Sequence, residues 1–139
     1  MKNEILEILI NSNKKLNGIL VETDIIQYVD KIIKHANVLT YFIEGELAGF
    51  IAYYCNDKNK YKAFLTMLCV ANGFEGKGIG KFLLQTSLLN VRELGFKTYS
   101  LEVNKNNLTA INLYTNYGFV IVETKDKTFI MKKDVSDVS

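Results

Sequence analysis

The stretch Glu75-Gly76-Lys77-Gly78-Ile79-Gly80-Lys81 carries more information about the fold than any other part of the chain. It follows an apolar segment with the composition of a strand and precedes an amphipathic segment with helical spacing. Alternating glycines leave the main chain accessible and permit left-handed dihedral angles. The first N–H groups of a helix lack intrahelical acceptors and therefore attract anions. The pattern predicts a strand, loop and helix unit that binds a pyrophosphate group.

Two well-known phosphate loops have a different spacing. A Walker loop requires Ser or Thr at the position where this chain has Phe82. A dinucleotide fingerprint requires a third glycine, but a count from Gly76 or Gly78 ends on Lys81 or Leu83. Both motifs are therefore excluded. Taken alone, the glycine cluster also fits a tight turn with no ligand.

Composition indicates one globular domain over residues 1–139, with residues 135–139 as a frayed tail. Hydrophobic residues make up 48% of the chain and charged residues 23%. The net charge of +2 is too small to indicate a nucleic-acid partner. The sequence has no apolar run of transmembrane length, so we expect no membrane association and a cytoplasmic location.

The residue types that most often hold metals or act as nucleophiles are scarce. The chain has one histidine, His35, and two cysteines, Cys55 and Cys69, which lie in apolar runs. We expect both cysteines to be buried free thiols and expect no metal site.

Hydrophobic periodicity and turn signals predict helices over 4–17, 24–36, 78–94 and 108–117, and strands over 38–43, 47–55, 61–70, 97–103, 119–124 and 128–132. Such an order fits a mixed sheet with helices on both faces. In the third helix, the residues expected to face inward are Ile79, Phe82, Leu83, Leu89 and Leu94.

A second motif lies downstream, where Leu101-Glu102-Val103 precedes Asn107-x-x-Ala110-x-x-x-Tyr114-x-x-x-Gly118-Phe119. Asn107 is a favourable N-cap, and Gly118 is a favourable helix stop. Ala110 and Tyr114 are four residues apart and therefore share one helical face.

These two motifs, in this order, resemble the GNAT (Gcn5-related) N-acetyltransferase family over roughly residues 40–133. The resemblance implies an α/β (α+β) fold with a mixed, mostly antiparallel sheet of about six or seven strands. This chain has Glu75 where the family usually has Arg or Gln, and Asn72 where a proline is common. A carboxylate near phosphates is unfavourable unless it points away or pairs with a lysine.

The resemblance implies acetyl-CoA as cosubstrate and no metal. The residues that contact acetyl-CoA would come from the end of the third strand, the glycine loop and the fourth helix: Leu68, Cys69, Val70, Glu75, Gly76, Lys77, Gly78, Ile79, Gly80, Lys81, Asn107, Ala110 and Tyr114. It would lie in a cleft where the strands Leu65–Val70 and Lys97–Val103 separate.

The resemblance also implies direct attack of an amine on the thioester. Glu102 is the candidate general base and Tyr114 the candidate acid for the departing thiolate; the alternatives are a structural carboxylate and a packing tyrosine. We expect a small amine or amino sugar as acceptor. Alternatives are a peptide or protein N-terminus, and a module that binds acyl-CoA without catalysis. The resemblance also allows a homodimer.

Overall fold

One six-stranded sheet organises the chain, and a computed structural model describes residues 1–15 and 24–136. The described helices are α1 (Lys2–Lys15), α2 (Ile25–His35), α3 (Ile79–Glu93) and α4 (Leu108–Asn116). The strands are β1 (Asn37–Ile43), β2 (Glu46–Tyr54), β3 (Lys62–Val70), β4 (Thr98–Asn104), β5 (Val120–Thr124) and β6 (Thr128–Asp134). Each predicted helix and strand is therefore present, with ends that differ by a few residues.

The strands lie in the order β1-β2-β3-β4-β6-β5. All neighbours pair antiparallel except β3 and β4, which are parallel. The parallel pair is joined through α3, as a parallel connection requires a crossover. The expected α/β (α+β) class, with a mixed and mostly antiparallel sheet, is confirmed.

Each face of the sheet carries its own core. On one face, α1 and α2 pack through residues such as Leu9 and Ile32 against Phe50 and Met67. On the other face lie α3 and α4, with α3 packed over β1, β2 and β3. Helices on both faces bury the apolar side chains of the central strands on both sides.

Local signals explain the ends of several elements. The Asp24 side chain accepts hydrogen bonds from the N–H groups of Ile26 and Gln27 at 2.8 and 3.3 Å, which caps α2. Between β1 and β2 the turn residues Glu44 and Gly45 have φ angles of 49° and 81°. Two consecutive positive φ angles are typical of a two-residue hairpin with a type I′ turn.

The inward face of α3 differs from the expected one. The buried residues are Ile79, Leu83, Leu84, Ser87 and Val91, which repeat mainly every four residues. In contrast, the expected core residues Phe82, Leu89 and Leu94 are 53%, 51% and 41% exposed. The prediction for these three was wrong because apolar character alone does not decide which flank of a helix meets the sheet.

Both ends of the chain also differ from expectation. Helix α1 begins at Lys2, and Leu16, at the predicted end of this helix, lies outside the described residues. Val135 is buried, and its N–H donates to the carbonyl of Lys97 at 2.9 Å. The prediction that the tail frays from residue 135 was therefore wrong at Val135, while residues 137–139 lie outside the description.

Candidate active site

The parallel strands β3 and β4 separate part of the way along their length. They pair from Lys62 and Thr98 as far as Leu65 and Leu101. Beyond this point β3 continues to Val70, paired only with β2 among the strands of the described residues. The edge of β3 that faces the opening therefore presents main-chain groups of the kind that pair with an added extended ligand.

A β-bulge at Thr66 lies at the point of separation. Ala52 pairs with Met67 and Tyr53 with Leu65, which leaves Thr66 as the extra residue on β3. The side chain of Leu65 packs on the α3 and α4 face, whereas that of Met67 packs on the α1 and α2 face. A bulge bends its strand and redirects the side chains that follow. It therefore accounts for the divergence of β3 from β4.

Tyr28 of α2 holds this bulge. Its hydroxyl lies 2.7 Å from Oγ1 of Thr66 and donates to the Thr66 carbonyl at 3.2 Å. Burial raises the pKa of Tyr28 to about 12, although the Thr66 hydrogen bond opposes this shift. The phenol therefore stays neutral and remains a donor at physiological pH.

The glycine loop forms an uncapped helix start, as predicted. Gly76 and Gly78 have φ angles of 76° and 79°, a region that strongly favours glycine. Gly78 occupies the N-cap of α3 and provides no side-chain cap. Among the described residues, the N–H groups of Ile79, Gly80 and Lys81 have no acceptor outside the helix. These donors and the positive end of the helix dipole suit a pyrophosphate.

The carboxylate of Glu75 is engaged beside the loop. Its Oε1 accepts the N–H of Gly73 at 2.7 Å. Lys77 and Lys81 are both exposed. Glu75, the residue that departs from the family pattern, is therefore hydrogen-bonded to the main chain of Gly73, which precedes the loop.

Gly49 on β2 allows α3 to begin close to the sheet. A Cβ at this position would lie 3.0 Å from the carbonyl oxygen of Cys69 and 3.0 Å from Cγ2 of Ile79. Such distances are shorter than ordinary van der Waals contacts. The absence of a side chain at Gly49 thus sets the distance between the end of β3 and the first turn of α3.

Helix α4 meets α3 beside the glycine loop and the end of β3. Asn107 caps α4, with its side-chain oxygen 3.4 Å from the N–H of Ala110. A Cβ added at Gly80 would lie 3.6 Å from Leu113 of α4 and 3.7 Å from Val70 of β3. The glycine loop, the end of β3 and the first turns of α4 therefore converge.

Tyr114 is 5% exposed and belongs to the core beneath α3 and α4. Its ring lies 5.7 Å from that of Phe119, centroid to centroid. Burial raises the pKa of the Tyr114 phenol, so the hydroxyl is protonated at neutral pH. Within the described part of the chain, this hydroxyl makes no hydrogen bond.

Glu102 is exposed on the opposite face of β4. Its neighbours Leu101 and Val103 are buried in the core beneath α3 and α4, so alternation directs Glu102 away from that core. Oε2 of Glu102 accepts a hydrogen bond from Oγ1 of Thr128 at 2.6 Å and lies 3.7 Å from Nζ of Lys125. The two predicted catalytic residues thus belong to opposite faces of the sheet.

Cys69 contributes its main-chain groups to the cleft and does not contribute a reactive thiol. Its side chain packs on the α1 and α2 face, and its Sγ lies 3.2 Å from Oγ of Ser12. Burial raises the pKa of the thiol to about 11, so the nucleophilic thiolate is scarce at neutral pH. The side chains of Leu68 and Val70 pack on the other core.

Sequence reasoning missed four residues that shape this region: Tyr28, Gly49, Thr66 and Thr128. A glycine inside a strand pattern can indicate a bulge or a close approach, so Gly49 carried a usable signal. The other three act through partners distant in sequence, and no local pattern marks them.

The described residues contain neither a metal-binding cluster nor a membrane-spanning helix. No group of three or more His, Cys, Asp or Glu side chains is arranged to hold a metal ion in residues 1–15 and 24–136. Over the same ranges, each helix is too short or too polar to cross a bilayer.

The chain is similar to known proteins of one family. Residues 4–119 match the Acetyltransferase (GNAT) family. Spermine/spermidine N(1)-acetyltransferase of Bacillus subtilis is 32% identical over 84 residues, which are 56% of this chain and 55% of the relative. The match therefore spans only about half the length of that relative.

Solved structures show the same fold at low identity. The PaiA N-acetyltransferase of Thermoplasma acidophilum, solved with coenzyme A, has a TM-score of 0.76 and 23% identity, covering 96% of this chain and 92% of that one. Aminoglycoside 6'-acetyltransferase type Ii has a TM-score of 0.82 and 17% identity, covering 99% and 92%. The separated strands, the glycine loop and the family match lead to one conclusion: this chain belongs to the GNAT acetyltransferase family.

Proposed function

We propose that this protein is an acetyl-CoA-dependent N-acetyltransferase that acts on a small primary amine. The observation that carries the proposal is the opening between β3 and β4, with an edge of β3 that pairs with no other described strand on one side and an uncapped helix start beside it. An extended arm that ends in a pyrophosphate matches both features.

The residues present fit acetyl-CoA. Main-chain N–H groups from Gly76 to Lys81 would bind the pyrophosphate, with the charges of Lys77 and Lys81 nearby. Main-chain groups of residues 68–70 would pair with the pantetheine arm and direct an amide to the thioester carbonyl. Asn107 and Ala110 at the start of α4 would border the same molecule.

Two side chains supply the proton transfers. An unperturbed alkyl amine has a pKa of about 10, so the acceptor must lose a proton before it attacks. Glu102 would take this proton and pass it to solvent, and the neutral amine nitrogen would then bond to the carbonyl carbon. As the C–S bond breaks, Tyr114 would donate its hydroxyl proton to the leaving thiolate, and the second proton of the nitrogen would restore the Tyr114 hydroxyl. The raised pKa of Tyr114 keeps that proton in place until the thiolate forms.

The acceptor would approach from the face that carries Glu102. Among the described residues, helices α1 and α2 pack mainly over β1, β2 and β3, and Glu102 on β4 is exposed. A small amine reaches such a surface easily. The similarity to a spermine/spermidine acetyltransferase supports this acceptor class.

Calorimetric titration with acetyl-CoA, CoA and ATP tests the cofactor assignment. We expect acetyl-CoA and CoA to bind and ATP not to bind. Thiol release is then measured with spermidine, an aminoglycoside and a peptide that begins with alanine. Faster release with the peptide would favour the alternative of protein N-terminal acetylation.

The Tyr114→Phe variant separates an enzyme from a binding module. We expect turnover to fall by about 10²-fold or more, the usual contribution of a general acid, while acetyl-CoA binding is kept. Glu102→Gln should behave in the same way. Unchanged turnover in either variant would refute the role assigned to that residue, and no acetyl-CoA binding by the wild type would refute the function.

A further inference from the structure

We propose that Thr128, assisted by Lys125, is a positioning residue for the Glu102 carboxylate. This inference rests on the proposed role of Glu102 as general base. Thr128 begins β6 and Lys125 lies in the turn between β5 and β6. The hairpin would therefore contribute to the reaction without touching the substrate.

Both contacts fall on the same oxygen of Glu102. Oγ1 of Thr128 donates to Oε2 at 2.6 Å, and Nζ of Lys125 lies 3.7 Å from the same atom. Within the described ranges, no donor contacts Oε1. The carboxylate is therefore held through one oxygen, and the other is available to accept a proton. Such an arrangement suits a general base that must be both fixed and reactive.

The strand register explains how Thr128 reaches Glu102. Glu102 lies opposite Ile130, and Asn104 lies opposite Thr128, in the antiparallel pair of β4 and β6. Residues two apart on a strand share a face, so Thr128 is the diagonal neighbour of Glu102 on the exposed face. This geometry follows from the fold and requires no unusual side-chain conformation.

The hairpin itself is anchored at two points. The N–H of Lys125 donates to the Thr128 carbonyl at 2.9 Å, which closes the turn. The N–H of Lys105, after β4, donates to the Lys127 carbonyl at 3.0 Å. Because the turn is fixed both to itself and to the segment before α4, Thr128 is a rigid support for the carboxylate.

Of the two contacts, the hydrogen bond from Thr128 is the more important. Glu102 and Lys125 have side chains that are 40% and 48% exposed, and ion pairs between exposed groups contribute little. An exposed glutamate also has many accessible rotamers. A short hydrogen bond from a β-branched residue on a strand restricts them, since threonine is stiff at χ1.

The test compares Thr128→Val with Thr128→Ser. Valine keeps the shape but lacks the hydroxyl, whereas serine keeps the donor. With the amine of the panel that reacts fastest, we expect Thr128→Val to lower kcat by about 10-fold, less than a complete loss of general-base catalysis. Thr128→Ser should stay close to wild type, and KM for acetyl-CoA should not change in either variant.

A second pair of variants makes the test independent of how well Thr128→Val folds. Lys125→Met removes the cation beside Glu102, and Lys127→Met removes a neighbouring cation with no side-chain contact to Glu102 among the described residues. We expect a small decrease in kcat, about twofold, for Lys125→Met alone, as an exposed ion pair allows.

The outcomes separate this inference from the proposed function. If Glu102→Gln loses turnover but Thr128→Val and Lys125→Met match wild type, the positioning role is refuted and the base survives. If kcat falls as much in Thr128→Ser as in Thr128→Val, the missing hydroxyl is not the cause of the lower kcat, and the inference fails. If Glu102→Gln keeps its turnover, the assignment of the base fails, and with it any positioning role for the hairpin.

Discussion

Replacement of Gly49 by alanine should loosen the junction between β3 and α3. A Cβ would lie 3.0 Å from the Cys69 carbonyl oxygen, which is backbone and cannot easily move, and 3.0 Å from Cγ2 of Ile79. The neighbours must therefore shift by a few tenths of an ångström. Ile79 is the first residue of α3, so the shift falls on the N–H groups assigned to the pyrophosphate.

The size of the effect follows from the packing. Overpacking a well-filled core costs about 1–3 kcal/mol of the free energy of unfolding. The loss of unfolded-state freedom on Gly→Ala offsets about 0.4–1 kcal/mol, so the middle of the overpacking range, about 2 kcal/mol, is reduced to about 1–1.6 kcal/mol. For 139 residues, an unfolding entropy of about 2.1 cal/mol/K per residue gives about 0.29 kcal/mol/K. The melting temperature should therefore fall by about 3–6 °C.

Differential scanning calorimetry measures this change, and titration with acetyl-CoA should show weaker binding. For the melting temperature, Gly80→Ala is the matched control, because its Cβ would find contacts of 3.6 and 3.7 Å, which are ordinary. Alanine is also favoured over glycine in a helix by about 1 kcal/mol, so Gly80→Ala should not lower the melting temperature. An unchanged melting temperature for Gly49→Ala would show that the neighbours relax freely and would refute the reasoning.

Two further predictions concern the α1 and α2 face. Tyr28→Phe removes the hydroxyl that binds Thr66 and should lower the free energy of unfolding, measured in urea, by about 1–3 kcal/mol. Tyr61→Phe is the control, because Tyr61 is exposed. Equal losses of unfolding free energy in the two variants would contradict the contact between Tyr28 and the bulge. Stability should also fall at alkaline pH. Burial raises the pKa of Cys69 from 9.0 to about 11 and that of Tyr28 from 10.0 to about 12, so both groups stabilise the fold fully below pH 9 and lose this effect as pH rises through 11 and 12. Urea midpoints between pH 8 and 12 test this. Cys69→Ala should reduce the decrease that begins at pH 9, and the part due to Cys55, whose pKa burial also raises, should remain. A flat profile in the wild type would contradict both shifts.

The sequence by itself determined the helices, the strands and the chemistry of the loop. Hydrophobic period, glycines with positive φ and the caps Asp24 and Asn107 act within a few residues of the chain. The glycine loop and the Asn107 to Phe119 motif are equally local, and together they indicated the family that the comparisons then established.

Only the tertiary structure decided how these parts meet. The bulge at Thr66 depends on a register with β2 and on Tyr28, which is 38 residues away. The burial of α3 depends on which flank meets the sheet, and this exposed Phe82 instead of burying it. The support for Glu102 comes from Thr128, 26 residues away. Strand register and helix docking are settled by contacts between distant segments, and a local pattern contains no information about which segments those will be.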